Sequence, residues 1–241
     1  MSGDIILKGV GKRYAVPGGA LEVLRGVDLV IPAREVTVLL GKSGCGKTTL
    51  LRLVGGLDRD YDGQILYPDA RRAAMVFQEP RLMPWLTVEK NITFGLKRRE
   101  IRPDKVRELL DLTGLTGFER ALPAQLSGGM AQRAAIARAL AVEPGFLLMD
   151  KPFAALDYFT RANMRRAFLD ICRKRDCGAL FVTHSIEEAV TLGDHIAILR
   201  NRRIETVYHL PGKPLPATEA ADLKEQIQSQ IQGDGPEQKS E

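Results

Sequence analysis

The run GKSGCGKT, residues 41–48, has the spacing G-x-x-x-x-G-K-[ST], and every residue type in it suits the handling of a triphosphate. Glycines at 41, 44 and 46 let successive backbone N–H groups curl around phosphate oxygens, and a helix opening at the end of the loop adds the positive potential of its N-terminus. Lys47 is long enough to reach the β and γ phosphates, and the Thr48 hydroxyl is a suitable ligand for Mg2+. Gly41, Ser43, Gly44, Cys45, Gly46, Lys47, Thr48 and Thr49 are therefore the candidate phosphate contacts. A chance glycine-rich turn would account for the glycines, but not for their position between the apolar run EVTVLLG and the helical run TTLLRLV.

A carboxylate completes this chemistry. FLLMDKPFAALD, residues 146–157, is an apolar run that ends in Asp150. By itself such an acid is as easily a turn cap; beside a phosphate loop it is the second protein oxygen near Mg2+, joining Thr48. Lys151 follows directly, and an ammonium held near phosphates has no lone pair with which to take a proton from water.

LSGGMAQRAAIARAL, residues 126–140, forms a second anion cradle, with Ser127 as an N-cap and Gly128 and Gly129 baring the first N–H groups of a helix. One triphosphate needs one cradle. Two make sense if two chains pair with twofold symmetry, each phosphate loop covered by the other chain's Ser-Gly-Gly helix.

The elements that must hold these residues are legible as short apolar runs at 35–41, 73–78, 145–150, 178–184 and 195–200, alternating with helical patterns. That alternation predicts a mostly parallel sheet with helices on both faces. The first 35 residues alternate apolar and polar side chains and are punctuated by Gly and Pro, as in an antiparallel lobe. Residues 80–144 show helical spacing, with Val106, Leu109 and Leu110 on one face, and read as a helical insert between two strands. After Pro211 the chain turns polar; Leu223, Ile227 and Ile231 recur four apart on an amphipathic helix, and GDGPEQKSE reads as a disordered end. Trp85 reads as packing.

Composition narrows the class. Thirty-five Lys and Arg against thirty Asp and Glu give a net charge of +5, which suits an anionic ligand and falls short of a nucleic-acid footprint. Three cysteines are too few for a disulfide framework, no run approaches the roughly 18 apolar residues of a membrane span, and the N-terminus lacks the form of a secretion signal. A soluble or peripheral protein is expected. A GTPase would need a guanine-reading [N/T]-K-x-D, and RKRD at 173–176 has Arg173 in place of Asn or Thr. A DNA-repair or chromosome ATPase would need a long coiled coil inside the insert, for which 80–144 is too short.

From residue 4 to about 210 the sequence resembles the ATP-binding subunits of ABC transporters. The phosphate loop, LSGGM and the Asp150 strand carry the resemblance, with Tyr14 in KRY, Gln78 in VFQEP, AALD at 154–157 and His184 in VTHS, all in order. It implies an α/β P-loop (RecA-like) fold over 1–210: a mainly parallel sheet flanked by helices, an N-terminal antiparallel β lobe and the helical subdomain of about 80–144 inserted, with 211–241 as a separate tail. ATP and Mg2+ are the implied cofactors. Tyr14 would stack on adenine, Gln78 would sense Mg2+ and the membrane partner, His184 would contact the γ-phosphate, and Asp157 would lie at the dimer seam. QEPRLMPWLTVEKNITFGL and KPFAALDYFTR resemble, more narrowly, the importer group serving nitrate, sulfonates, taurine and similar small anions. The implied partners are a second ATP-binding subunit, identical or not, membrane permease subunits, and indirectly a substrate-binding protein, with no nucleic acid; the implied place is the cytoplasmic face of the cell membrane. Position 151 is where this family carries the glutamate that polarises the attacking water. Lys151 there implies slowed hydrolysis with ATP binding kept, so the chain reads either as a transport ATPase or as a switch that holds a dimer closed or pairs with a competent ATPase.

Overall fold

A computed structural model describes residues 3–67, 73–174, 176–210 and 215–232. The apolar runs become strands β3 (Val36–Leu40), β5 (Ala73–Val76), β6 (Phe146–Asp150), β7 (Gly178–Thr183) and β8 (His195–Arg200), joined at one edge by β9 (Arg203–His209). They form one six-stranded sheet in the order β5-β6-β7-β3-β8-β9, parallel except for the antiparallel β8–β9 pair. The continuous apolar character of the central strands is explained by burial on both faces. Along β3, Val36, Val38 and Leu40 enter one core while Leu39 enters the other, and along β7 Ala179 and Phe181 face away from Leu180 and Val182.

One of these cores lies between the sheet, helix α1 (Lys47–Val54) and a three-stranded antiparallel sheet of β1 (Ile5–Val16), β2 (Gly19–Ile31) and β4 (Asp62–Leu66), ordered β2-β1-β4. The third strand lies outside the first 35 residues, where the β lobe was expected. Its five residues, DGQIL, bury only Ile65, so they carry no alternation for a reader of the sequence to find.

The other core is covered by α4 (Gly128–Ala141), α5 (Tyr158–Lys174), α6 (Ile186–Leu192) and α7 (Ala217–Gln232), with α2 (Val88–Thr93) and α3 (Pro103–Leu112) packed beyond. Between β5 and β6 the chain forms α2, α3 and α4 and no strand among the described residues. The α3 face does bury Val106, Leu109 and Leu110. The loop before α2 is pinned by the buried amide of Asn91, which accepts from Met83 N–H at 2.8 Å and donates to the carbonyls of Met83, Leu86 and Thr87 at 3.2, 2.9 and 3.1 Å. Trp85 is not packing: held on this pinned loop, it is 72% exposed, because the loop's own hydrogen bonds turn it outward instead of into either core.

Helix α7 docks on the sheet. Ile227 is fully buried, Leu223 and Ile231 pack beside it, Gln230 accepts from the Tyr208 hydroxyl at 2.7 Å, and Arg200 donates to the Gln230 carbonyl at 2.8 Å. The expected disordered end, 233–241, lies outside the described residues.

Candidate nucleotide-binding site

Sheet order brings most of the chosen residues to one edge. In the parallel register Leu40 pairs with Thr183, Asp150 with Val182, and Val76 with Met149. The carboxyl ends of β5, β6, β7 and β3 therefore lie side by side, and from them emerge, in that spatial order, Gln78, Asp150 with Lys151, His184 and the phosphate loop. Ligands of open α/β sheets bind in the crevice at this edge. Gln78 and His184 are both exposed there.

The phosphate loop is shaped by two of its glycines. A Cβ on Gly41 would strike the Leu199 carbonyl and come within 2.8 Å of the Cys45 sulfur, and Gly46 at φ 107 caps α1 in a conformation that side chains resist. Lys47 folds back across the loop, its Nζ donating to the carbonyls of Gly41 and Lys42 at 2.7 Å each and lying 3.6 Å from Cys45 Sγ. Burial pushes its ammonium below the ordinary lysine range, and the charge of Lys151 pushes the same way.

Beneath the loop, the Thr48 hydroxyl donates to Asp150 Oδ2 at 2.9 Å. Asp150 is only 4% exposed, and its Oδ1 has no hydrogen-bond partner. A buried carboxylate oxygen is costly without a partner. A carboxylate oxygen and a hydroxyl oxygen side by side are hard donors of the kind that take Mg2+. These residues fit that ion, with its other ligands left to phosphates and water.

Lys151 continues the strand edge: its N–H donates to the Val182 carbonyl at 2.9 Å, its carbonyl accepts from Ala154 N–H at 3.2 Å, and its φ is 44. A non-glycine residue in the left-handed region is uncommon and marks a position fixed by its surroundings.

His184 stands between β7 and α6 on a hydrogen-bonded frame. Ser185 caps α6 by accepting from Glu188 N–H at 3.2 Å, and its own N–H donates to Thr183 Oγ1 at 3.0 Å. The Glu188 carboxylate accepts from the Thr183 hydroxyl at 2.6 Å and from Arg165 of α5 at 3.2 Å.

The Ser127 cradle lies elsewhere. Ser127 Oγ accepts from Met130 N–H at 3.2 Å at the open start of α4, and the space beside Gly128 is empty. A Cβ on Gly129 would lie 3.4 Å from Leu156 and 3.5 Å from the Ala155 carbonyl, so this helix start borders the AALD loop. Asp157 ends that loop, exposed, accepting from Thr160 N–H at 3.0 Å; its hydrogen bonds with Thr160 hold its carboxyl below the usual range. No hydrogen bond among the described residues joins Ser127, Gly128 or Gly129 to the phosphate loop. Tyr14 is half-buried on β1, its hydroxyl donating to Asp58 Oδ2 at 3.3 Å.

Several polar residues that organise the site were not among the sequence candidates. Gln132 donates to the Phe77 carbonyl at 3.0 Å, and Arg138 to the carbonyls of Pro80 and Arg81 at 2.9 and 2.8 Å, so α4 grips the backbone on both sides of Gln78. The signal was present: Gln132 and Arg138 are long polar residues in an otherwise alanine-rich helix, and Gln132 is buried.

The family description "ABC transporter" matches residues 24–154. The aliphatic sulfonates import ATP-binding protein SsuB of Bacillus subtilis (strain 168) is 45% identical over 196 residues, covering 78% of this chain and 77% of that protein. The protein of the same name from Bacillus thuringiensis subsp. konkukian (strain 97-27) is 41% identical over 198 residues, covering 79% and 78%. Among solved structures, a dimeric post-hydrolysis state of the ATP-binding cassette MJ0796 bound to ADP and Pi is similar at a TM-score of 0.78 and 30% identity, covering 86% of this chain and 99% of that one. The phosphate loop, the Thr48–Asp150 pair and the open Ser127 helix occur in one fold shared with these proteins, and the chain belongs to the ABC transporter family, as an ATP-binding subunit of the kind that couples ATP hydrolysis to transport.

Proposed function

We propose that this chain is the ATP-binding subunit of an importer of aliphatic sulfonates, working as one of a pair beneath membrane permease subunits at the cytoplasmic face of the cell membrane. The names of the relatives support aliphatic sulfonates as the cargo class. None of the described helices is long and apolar enough to cross a membrane. The exposed Trp85 and Phe94, on either side of α2, are apolar side chains available to a permease subunit.

The observation that carries the nucleotide half is the Thr48–Asp150 pair with its unpartnered Oδ1 beneath the phosphate loop. Mg2+, when bound, would neutralise phosphate charge there, held by Thr48 and Asp150. Lys47 exchanges its two carbonyl partners for phosphate oxygens, and the loop N–H groups take the rest. Tyr14 supports the base, Gln78 and His184 face the terminal phosphate from the strand ends on either side of β6, and Ser127, Gly128 and Gly129 of the second chain close over the triphosphate, with Asp157 at the seam. Closure driven by ATP and reopening after hydrolysis move the permease.

Lys151 favours a second reading, that of a subunit impaired in hydrolysis, which holds the pair closed or relies on a competent partner cassette. The residue after Asp150 offers no lone pair to water, and its charge is felt at Lys47. Size measurement and phosphate release under saturating MgATP separate the two readings. A long-lived dimer without phosphate supports the switch, and rapid turnover supports the motor. If Lys151 limits hydrolysis, Lys151→Glu raises phosphate release by roughly 10²- to 10⁴-fold; no gain in rate removes that limit.

A further inference from the structure

Lys12 is a buried cation with no part in the site as described so far. Its side chain is 3% exposed, in the same strand as Tyr14 and two residues before it. Nζ donates to Asp58 Oδ1 at 2.9 Å, to Asp60 Oδ2 at 3.3 Å and to the Asp60 carbonyl, and it lies 4.8 Å from the centroid of the Tyr14 ring. The other carboxylate oxygen of Asp58 accepts from the Tyr14 hydroxyl at 3.3 Å, while Oδ1 also accepts from Asp60 N–H at 3.1 Å. Desolvation pulls the Lys12 ammonium down, but its hydrogen bonds to Asp58 and Asp60 outweigh that and leave it above the ordinary lysine range.

Taking an ammonium out of water is expensive, and an apolar chain of the same length would pack against β1 without that cost. What the charge adds is a hold on the ring from two sides: a cation near its π face and a carboxylate at its hydroxyl, both fixed to the turn after α1. The ring is left half-buried at the wall of an open groove shared with Arg52, Phe77 and Arg81. We propose that Lys12 is a positioning residue for nucleotide recognition, which with Asp58 presets the Tyr14 ring as a platform for the nucleobase and draws electron density from that ring, strengthening its stacking with an electron-rich purine. This rests on the reading of Tyr14 as the base-stacking residue.

The base and the phosphates can be tested apart by titrating the full chain calorimetrically with MgATP and, separately, with Mg2+ and inorganic tripolyphosphate. Lys12→Met is expected to weaken ATP binding by about 3- to 20-fold, the range of a partly desolvated cation–π contact, and to leave tripolyphosphate binding unchanged. Should that variant lose stability because Asp58 is left unpaired, the Lys12→Met/Asp58→Asn variant restores neutrality, keeps an acceptor for the Tyr14 hydroxyl, and is expected to show the same selective loss. On a Tyr14→Ala background, Lys12→Met should have no further effect on ATP. Equal losses for both ligands, no loss for ATP, or a loss that persists without Tyr14 would overturn the role of Lys12. If the unaltered protein binds ATP no more tightly than tripolyphosphate, the base platform itself is wrong, which is a failure distinct from that of Lys12.

Discussion

The residues of this site are arranged by charge before any ligand arrives. Lys47 and Asp150 are both nearly sequestered, yet no hydrogen bond joins them: the lysine satisfies itself on loop carbonyls, and the aspartate takes one hydrogen bond from Thr48 and leaves Oδ1 unpartnered. Each can therefore change partner when phosphate and metal enter. The Lys12–Asp58 pair does the opposite and is committed. The hydrogen bond from Lys12 holds the Asp58 carboxyl below its ordinary range, and the same contact keeps Lys12 above its own. A depressed carboxylate pKa contributes stability that is present above the unfolded value, about 3.9, and is lost as pH falls through the folded value. A raised lysine pKa contributes stability that is present below about 10.4 and is lost as pH rises through the folded value. Urea midpoints of the wild type and of Lys12→Met/Asp58→Asn should therefore differ by a constant amount from about pH 5 to 9 and converge below about pH 4. Asp58 is partly exposed, so the difference will be modest. A gap that does not narrow in acid would show that the pair adds nothing to stability.

At the scale of elements, α4 links two of the proposed contacts. Its first turn presents Ser127 and Gly128 to solvent, and farther along it holds the Gln78 loop through Gln132, about one turn on, and Arg138, nearly three turns on. A shift of this helix moves both together. Ser127→Ala removes the cap of α4 and should cost about 1 kcal/mol in a chemical denaturation series. If the serine also meets the triphosphate of a second chain, the variant will bind ATP as a monomer with nearly unchanged affinity but will pair less in its presence, as read by light scattering. Unchanged pairing would confine Ser127 to a capping role.

On the scale of the whole molecule, the last described helix brings the chain back onto the six-stranded sheet. Helix α7 closes the core beneath α6 and β9 through Ile227, with Gln230 tied to Tyr208, Arg200 and Thr206. Ile227→Ala should destabilise the protein by about 2–5 kcal/mol, as large-to-small changes do in packed cores. A cost under about 0.5 kcal/mol, the range of surface substitutions, would mean that the helix is dispensable to the fold.

The sequence by itself determined the chemistry that could be done locally. A phosphate loop is a contiguous string whose glycines, lysine and threonine act within one turn of backbone, so GKSGCGKT is legible without a fold. The strands beside it were legible for a related reason, because burial on both faces leaves an unbroken apolar run. Lys151 stood out only against the resembled family, which carries a glutamate there, as a charge of the opposite sign. What only the tertiary structure decided was adjacency across long separations: that Thr48 meets Asp150, that four strand ends share one edge, that Gln132 and Arg138 reach back to the Gln78 loop, and that Trp85 faces water. The strand β4 was hidden because it buries one side chain, and Lys12 because a lysine on an alternating strand looks solvated until Asp58 and Asp60 are brought over it. Local patterns fix which groups a segment offers, whereas partners far apart in sequence meet only when burial of apolar surface has chosen a single packing.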